Sequence, residues 1–112
     1  MKLSDASTYY PTERRARYAE RPGFRINELQ ISPSQEVPWH THTAIRDTIY
    51  VIAGTLRITL RDPDEELVLA PSDSYAIAPG RPHRVTNAGT TSATFLTLQG
   101  IGEYDFVPLE AG

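Results

Sequence analysis

From Leu56 to Arg61 the chain alternates cleanly: Leu56, Ile58 and Leu60 are apolar, while Arg57, Thr59 and Arg61 are polar. A period of two is that of a strand with one buried and one wet face. The β texture begins at Gly23. Phe24 to Ile31 alternates with a change of phase near Glu28, which predicts a bulge. Thr48 to Ile52 is rich in β-branched residues, and Ala53-Gly54 after it reads as a hairpin turn into the strand at Leu56. Turn signals at Ser32-Pro33-Ser34, Asp62-Pro63-Asp64-Glu65, Pro71-Ser72-Asp73, Pro79-Gly80 and Ala88-Gly89 delimit further strands over 66–70, 75–78, 83–87 and 92–98. Short strands at such spacing, with no helix of normal length after residue 22, predict an all-β sandwich or barrel. The tail from Gly100 mixes acids and aromatics, Glu103-Tyr104-Asp105-Phe106, and either pairs as an edge strand or trails off.

Residues 1–22 read as an N-terminal arm and residues 23–112 as a single barrel domain. The arm is polar and carries Arg14, Arg15, Arg17 and Arg21, and Thr12 is placed to cap a short helix through Ala19. Tyr9, Tyr10 and Tyr18 are much aromatic surface for a free tail, so the arm is expected to pack on its own barrel or on a partner subunit.

Composition narrows the chemistry. With no cysteine, thiolate sites and disulfides are excluded, and any metal must be held by nitrogen and oxygen. That absence fits a reducing cytoplasm, as does the lack of an apolar signal segment in Met1-Lys2-Leu3-Ser4-Asp5. A formal net charge of −3 argues against a nucleic-acid partner. The longest apolar run, Ile49 to Ala53, is too short to cross a bilayer.

All three histidines lie in two places: His40 and His42 in Pro38-Trp39-His40-Thr41-His42, and His83 in Pro79-Gly80-Arg81-Pro82-His83. Histidines one residue apart on a strand share a face. Asp47 shares its face with Ile49 and Val51, so it stands over an apolar wall where an unpaired acid is costly. Any one histidine could be a buried, hydrogen-bonded ring; three in this arrangement favour a metal. Trp39 and Tyr50 fall on the opposite faces of their strands and read as packing residues.

These residues resemble the two motifs of the cupin family. The first is a glycine, five residues, His-x-His, three or four residues, a glutamate, six residues and a glycine; His40, His42, Asp47 and Gly54 stand in that register. The second ends in a glycine, a histidine and an asparagine, matched by Gly80, His83 and Asn87. The resemblance covers roughly residues 24–99. Ser34 and Ser72 replace family glycines, and Ala78 replaces the family proline. Asp47 replaces a glutamate that reaches the metal in the family; being one methylene shorter, it has three roles open to it: ligand, partner through a bridging water, or a group orienting a histidine. The resemblance implies a double-stranded β-helix, or jelly-roll β-barrel. It also implies one divalent transition metal per chain (Fe, Mn, Ni, Cu or Zn) held by His40, His42 and His83, with or without Asp47.

Three functional readings follow. The favoured one is a metalloenzyme, either a dioxygenase or a Lewis-acid isomerase, cyclase or lyase. It acts on a small oxygenated substrate, with Asp47 as fourth ligand or general base. The second is a non-catalytic small-molecule-binding cupin, and the third a metal-free sugar epimerase or isomerase using His83 with Asp47. Gln99 is the best polar candidate for touching substrate, Phe95 and Thr97 are expected near it at the barrel mouth, and Arg81 and Arg84 are candidates for an acidic substrate. Small cupins commonly dimerise, so a homodimer in the cytoplasm is expected, with neither nucleic acid nor membrane as partner.

Overall fold

A computed structural model describes residues 10–110. Among these residues, ten strands form two five-stranded antiparallel sheets. In chain order they are β1 (Arg14–Arg21), β2 (Phe24–Ile31), β3 (Glu36–Thr41), β4 (Arg46–Ala53), β5 (Leu56–Leu60), β6 (Glu65–Leu69), β7 (Ser74–Ile77), β8 (His83–Asn87), β9 (Ala93–Gly100) and β10 (Val107–Pro108). One sheet runs β1-β2-β9-β4-β7 and the other β10-β3-β8-β5-β6. This is the double-stranded β-helix that the motifs implied.

The sheets face each other across an apolar core. Ile31, Val51 and Phe95 from the first sheet meet Leu56, Ile58 and Val85 from the second, all at 2 % exposure or less. The alternation at β5 is as read: Leu56, Ile58 and Leu60 are buried, and Arg57 and Thr59 are half-buried. Truncating one such side chain to alanine typically costs about 2–5 kcal/mol.

Three local readings need correction. The helix expected from Thr12 to Ala19 is instead β1, which pairs along the length of β2. A short isolated helix is marginal in water, whereas this segment gains a full ladder and the contacts of Arg14 and Tyr18 with Glu28. Tyr10 packs into the core of its own chain, Tyr18 stays exposed, and Tyr9 lies outside the described residues. Second, the bulge expected near Glu28 is absent. β2 alternates strictly and pairs with β9 without a shift; the irregularity lies in β1, between Arg17 and Ala19. Arg25 and Asn27 point inward with Leu29 and Ile31, so the phase break came from polar residues on the inner face. Third, Ala53-Gly54 is not a hairpin turn. β4 pairs with β9 and β7, β5 pairs with β8 and β6, and the chain crosses between sheets at Gly54. The tail takes the edge-strand alternative: β10 pairs with β3, and Leu109 N–H donates to the Trp39 carbonyl at 2.9 Å.

Asn87 secures the turn after β8: its Oδ1 accepts from Gly89 N–H at 2.8 Å and its Nδ2 donates to the Thr91 carbonyl at 2.8 Å. Gly54 has φ +80°, and a Cβ there would lie 2.8 Å from Ala93 Cα and from the Ser92 carbonyl oxygen. Gly80 has a similar φ of +79° but open space around it. Gly80→Ala should therefore cost about 1 kcal/mol of backbone strain, and Gly54→Ala roughly 2–5 kcal/mol, since it adds a backbone clash. Urea unfolding midpoints of the two variants test this, and equal losses would contradict the crossing geometry.

Candidate metal centre

The second sheet delivers two histidines as a direct cross-strand pair, His40 of β3 opposite His83 of β8. A register shift between Val37 and His40 lets Trp39 and His40 both be buried in succession. Trp39 packs under the Arg61 guanidinium, 3.9 Å from the ring centroid. His42 follows at the end of β3. The first sheet supplies Asp47 at the start of β4, paired across the ladder with Gln99 of β9.

The four side chains converge. One donor atom from each of His40, His42, Asp47 and His83 lies within 4.8 Å of all the others, and all four residues are buried. Asp47 Oδ2 is 3.2 Å from His42 Nε2 and 3.3 Å from His83 Nε2. The shorter carboxylate does reach the histidines, because β4 begins directly beneath them.

The far side of each ring sets its tautomer. His40 Nδ1 donates to the Pro38 carbonyl at 2.7 Å, His42 Nδ1 to the Asp105 carbonyl at 2.5 Å, and His83 Nδ1 to the Arg81 carbonyl at 2.9 Å. Carbonyls only accept, so the proton sits on Nδ1 and a neutral ring presents its Nε2 lone pair inward. Three lone pairs and a carboxylate facing one point make a receptor for a cation, with the backbone holding the rings from behind. Donors bound at about 2.1 Å on opposite sides of one ion lie about 4.2 Å apart, so small ring rotations suffice to close the 4.8 Å span. The donor set fits a divalent first-row metal.

Without a metal the rings differ in charge: His40 stays neutral, while Asp47 favours a proton on His42 Nε2. Burial, reinforced by the charges of His83 and His42, pulls His40 down to about 3. Burial also opposes charge on His42, but the hydrogen bond and charge of Asp47, with help from Asp105, hold its pKa above the ordinary value. For Asp47 burial favours the neutral acid, yet His42 and His83 outweigh it and keep the carboxyl well below the usual range.

Further polar groups reach inward from the first sheet. Gln99 Nε2 donates to Asp47 Oδ1 at 3.4 Å. Asn27 Nδ2 lies 3.3 Å from both Gln99 Oε1 and Thr97 Oγ1, and Arg17 Nε donates to Asn27 Oδ1 at 2.7 Å. This chain runs from the rim to the carboxylate and turns Asp47 Oδ1 away from the histidines. Gln99 and Phe95 both line the cavity above the centre, together with His40, His42 and Asp47. Arg81 does not. Its guanidinium is held outside by the Pro63 carbonyl (2.8 Å), Glu65 (3.1 Å), the Arg61 carbonyl and Tyr75, and only its own backbone carbonyl touches His83. Arg84 is likewise paired with Glu36, at 2.7 Å.

The sequence reading missed the tail as a wall of the site. Asp105 accepts from Thr43 N–H at 2.8 Å and from Thr43 Oγ1 at 2.6 Å, which pins the segment to the β3–β4 loop. Phe106 stacks on His40 with centroids 4.3 Å apart and planes at 14°, and Tyr104 packs 5.4 Å from His42. The Arg25 guanidinium covers Tyr104 at 3.8 Å. Burial, with Tyr10 and Asp47 adding to it, pushes the Tyr104 phenol well above its ordinary pKa, so it remains an O–H donor.

A model of the cupin domain family matches residues 27–99. No curated protein matches. Among solved structures, an uncharacterised conserved protein with a double-stranded β-helix domain from Klebsiella pneumoniae aligns with TM-score 0.77 and 23% identity over 95% of each chain. An oxalate oxidase in complex with glycolate aligns with TM-score 0.71 and 20% identity over 77% of this chain and 46% of its own. KdgF from Halomonas sp. aligns with TM-score 0.70 and 17% identity over 80% of both. At these identities the likeness is one of fold.

The metal-free protein should lose stability in acid. The folded pKa of His40, about 3, lies below its ordinary 6.5, so within that window the unfolded chain binds a proton that the folded chain does not. Stability therefore falls as pH drops through it, by up to about 1.4 kcal/mol per pH unit. Asp47 adds to the loss below its ordinary value of 3.8. His42 acts oppositely: its contribution is complete below 6.5 and is lost as pH rises through its raised folded pKa. Thermal unfolding of chelator-treated protein should show a falling midpoint below about pH 6.5 that steepens below about pH 4. A flat profile between those values would contradict a buried neutral His40.

Proposed function

The chain belongs to the cupin family, and from that premise we propose that it is a mononuclear metalloenzyme acting on a small oxygenated organic molecule. One observation carries the reading: three imidazoles, each held from behind by a backbone carbonyl, aim their Nε2 atoms at a common point beside Asp47. His40, His42 and His83 would hold the ion, with Asp47 beside them. A bound first-row metal would supply Lewis acidity or oxygen activation at that point. The fold alone selects no reaction, because the same barrel serves many. That an oxalate oxidase binds glycolate in a barrel of this shape supports a small oxygenated ligand here.

The protein's own residues have distinct tasks in this reading. Gln99 fixes one oxygen of Asp47, leaving the other for the ion or for a substrate proton. Phe95 and Ile49 give the cavity apolar walls, while Thr97 and Asn27 offer hydrogen bonds to a substrate. Phe106 and Tyr104 cover the centre from the tail side and limit entry of water.

Elemental analysis of protein purified without a metal-affinity column tests the proposal. The wild type should carry close to one first-row divalent metal per chain, and His83→Ala should lower occupancy at least about tenfold while keeping the β-sheet circular dichroism. Metal content unchanged by His83→Ala would sink it. Substrate binding without turnover by the fully loaded protein would leave a binding module in place of the enzyme.

A further inference from the structure

One wall of the cavity is cationic. Arg15 and Arg17 from β1 and Arg25 from β2 all line it, whereas Asp47 is the one carboxylate among the described lining residues. That carboxylate is engaged already, facing His42, His83 and Gln99.

Strand pairing explains how three arginines come to one wall. Arg25 lies opposite Gln99, which lies opposite Asp47; Arg17 lies opposite Asn27, which lies opposite Thr97; Arg15 lies opposite Leu29, which lies opposite Phe95. The three rows climb the inner face of the first sheet, and each carries a guanidinium toward its β1–β2 side. The placements differ in depth. Arg25 is 4% exposed beneath its contact with Tyr104; Arg15 is half-buried over the Tyr10 ring at 4.7 Å; Arg17 reaches the rim, where Glu20 takes its Nη1 at 3.0 Å. Arg15 and Arg17 both act electrostatically on the Tyr104 phenol, so their charges are felt within the cavity. The cavity is thus polarised: histidines and Asp47 at its inner end, guanidiniums and a phenol toward its mouth.

Guanidinium groups are the natural partners of carboxylates, which they bind through paired N–H donors. We propose that the cavity takes a small organic anion whose carboxylate is held by Arg15, Arg17 and Arg25 while oxygens at its other end reach the histidine centre. This rests on the metal-centre reading above and names the substrate class for that same site. Asp47 and Arg25 stand two strands apart, about 10 Å between backbones. Their side chains close part of that gap, which suits a ligand a few carbons long with acid groups at both ends.

The test is calorimetric titration of protein loaded with Mn²⁺, using α-hydroxyglutarate and α-hydroxyvalerate. The two share chain length and a chelating hydroxy-acid end, and only the first carries a distal carboxylate. At low salt the dicarboxylate should bind at least about tenfold more tightly, as one charge-assisted contact warrants. The gap should narrow as ionic strength rises. It should narrow at least about threefold in the Arg15→Gln variant, whose side chain stands outside the hydrogen-bonded chain to Asp47 and whose metal content should match wild type. Equal affinities in the wild type, or a gap unchanged in Arg15→Gln, would overturn the proposal. If the protein takes up no metal, the metal-centre reading fails separately. Glutarate added to metal-free protein then decides: a rise in melting temperature that is smaller in Arg15→Gln supports the anion site, and no rise, or a rise unchanged by the substitution, refutes it.

Discussion

Four buried polar groups aimed at one point cannot rest there without positive charge among them. His40, His42 and His83 bring lone pairs and Asp47 brings a negative charge, all shielded from water. With each Nδ1 proton committed to a carbonyl, neutral rings have no N–H left to offer Asp47. Either an extra proton sits on His42, whose pKa Asp47 raises while burial keeps His40 neutral, or one cation takes its place. A metal would satisfy all four groups together, and both sheets serve to hold that arrangement.

Both sheets and the tail contribute. The β3–β8 ladder sets His40 against His83, and the β4–β9 ladder sets Asp47 against Gln99. The tail supplies the carbonyl of Asp105 that orients His42 and the Phe106 ring that stacks on His40. A site assembled from both sheets and closed by the last strand depends on the folded barrel as a whole, not on a local motif.

The barrel and its inner donors were legible because both rest on short-range regularities. Alternation at Leu56–Leu60 marks a strand, and the spacing of His40, His42, Gly54, Gly80, His83 and Asn87 is that of the cupin motifs. What was misread depends on partners far away in the chain. Ala53-Gly54 resembles a hairpin turn, and only the pairing of β4 with β9 and β5 with β8 shows it to be a crossing between sheets. Residues near Thr12 have local helical signals, but β2 offers them an edge. The phase break in Phe24–Ile31 held more information than a bulge: Arg25 and Asn27 point inward because the inner face at that level lines a polar cavity. Arg81 looked close to the site through its proximity to His83 in sequence, yet Glu65 and two carbonyls hold it outside. Asp105 and Phe106 carry no motif at all, and only the return of β10 to β3 reveals them.

On this reading one metal ion sits where the three Nε2 atoms and Asp47 meet. Metal-edge X-ray absorption on protein purified without an affinity metal column tests it most directly. The spectrum should show nitrogen and oxygen neighbours at about 2.1 Å, with the outer scattering of three imidazoles and no sulfur. An absent edge, or a shell lacking imidazole scattering, would contradict it.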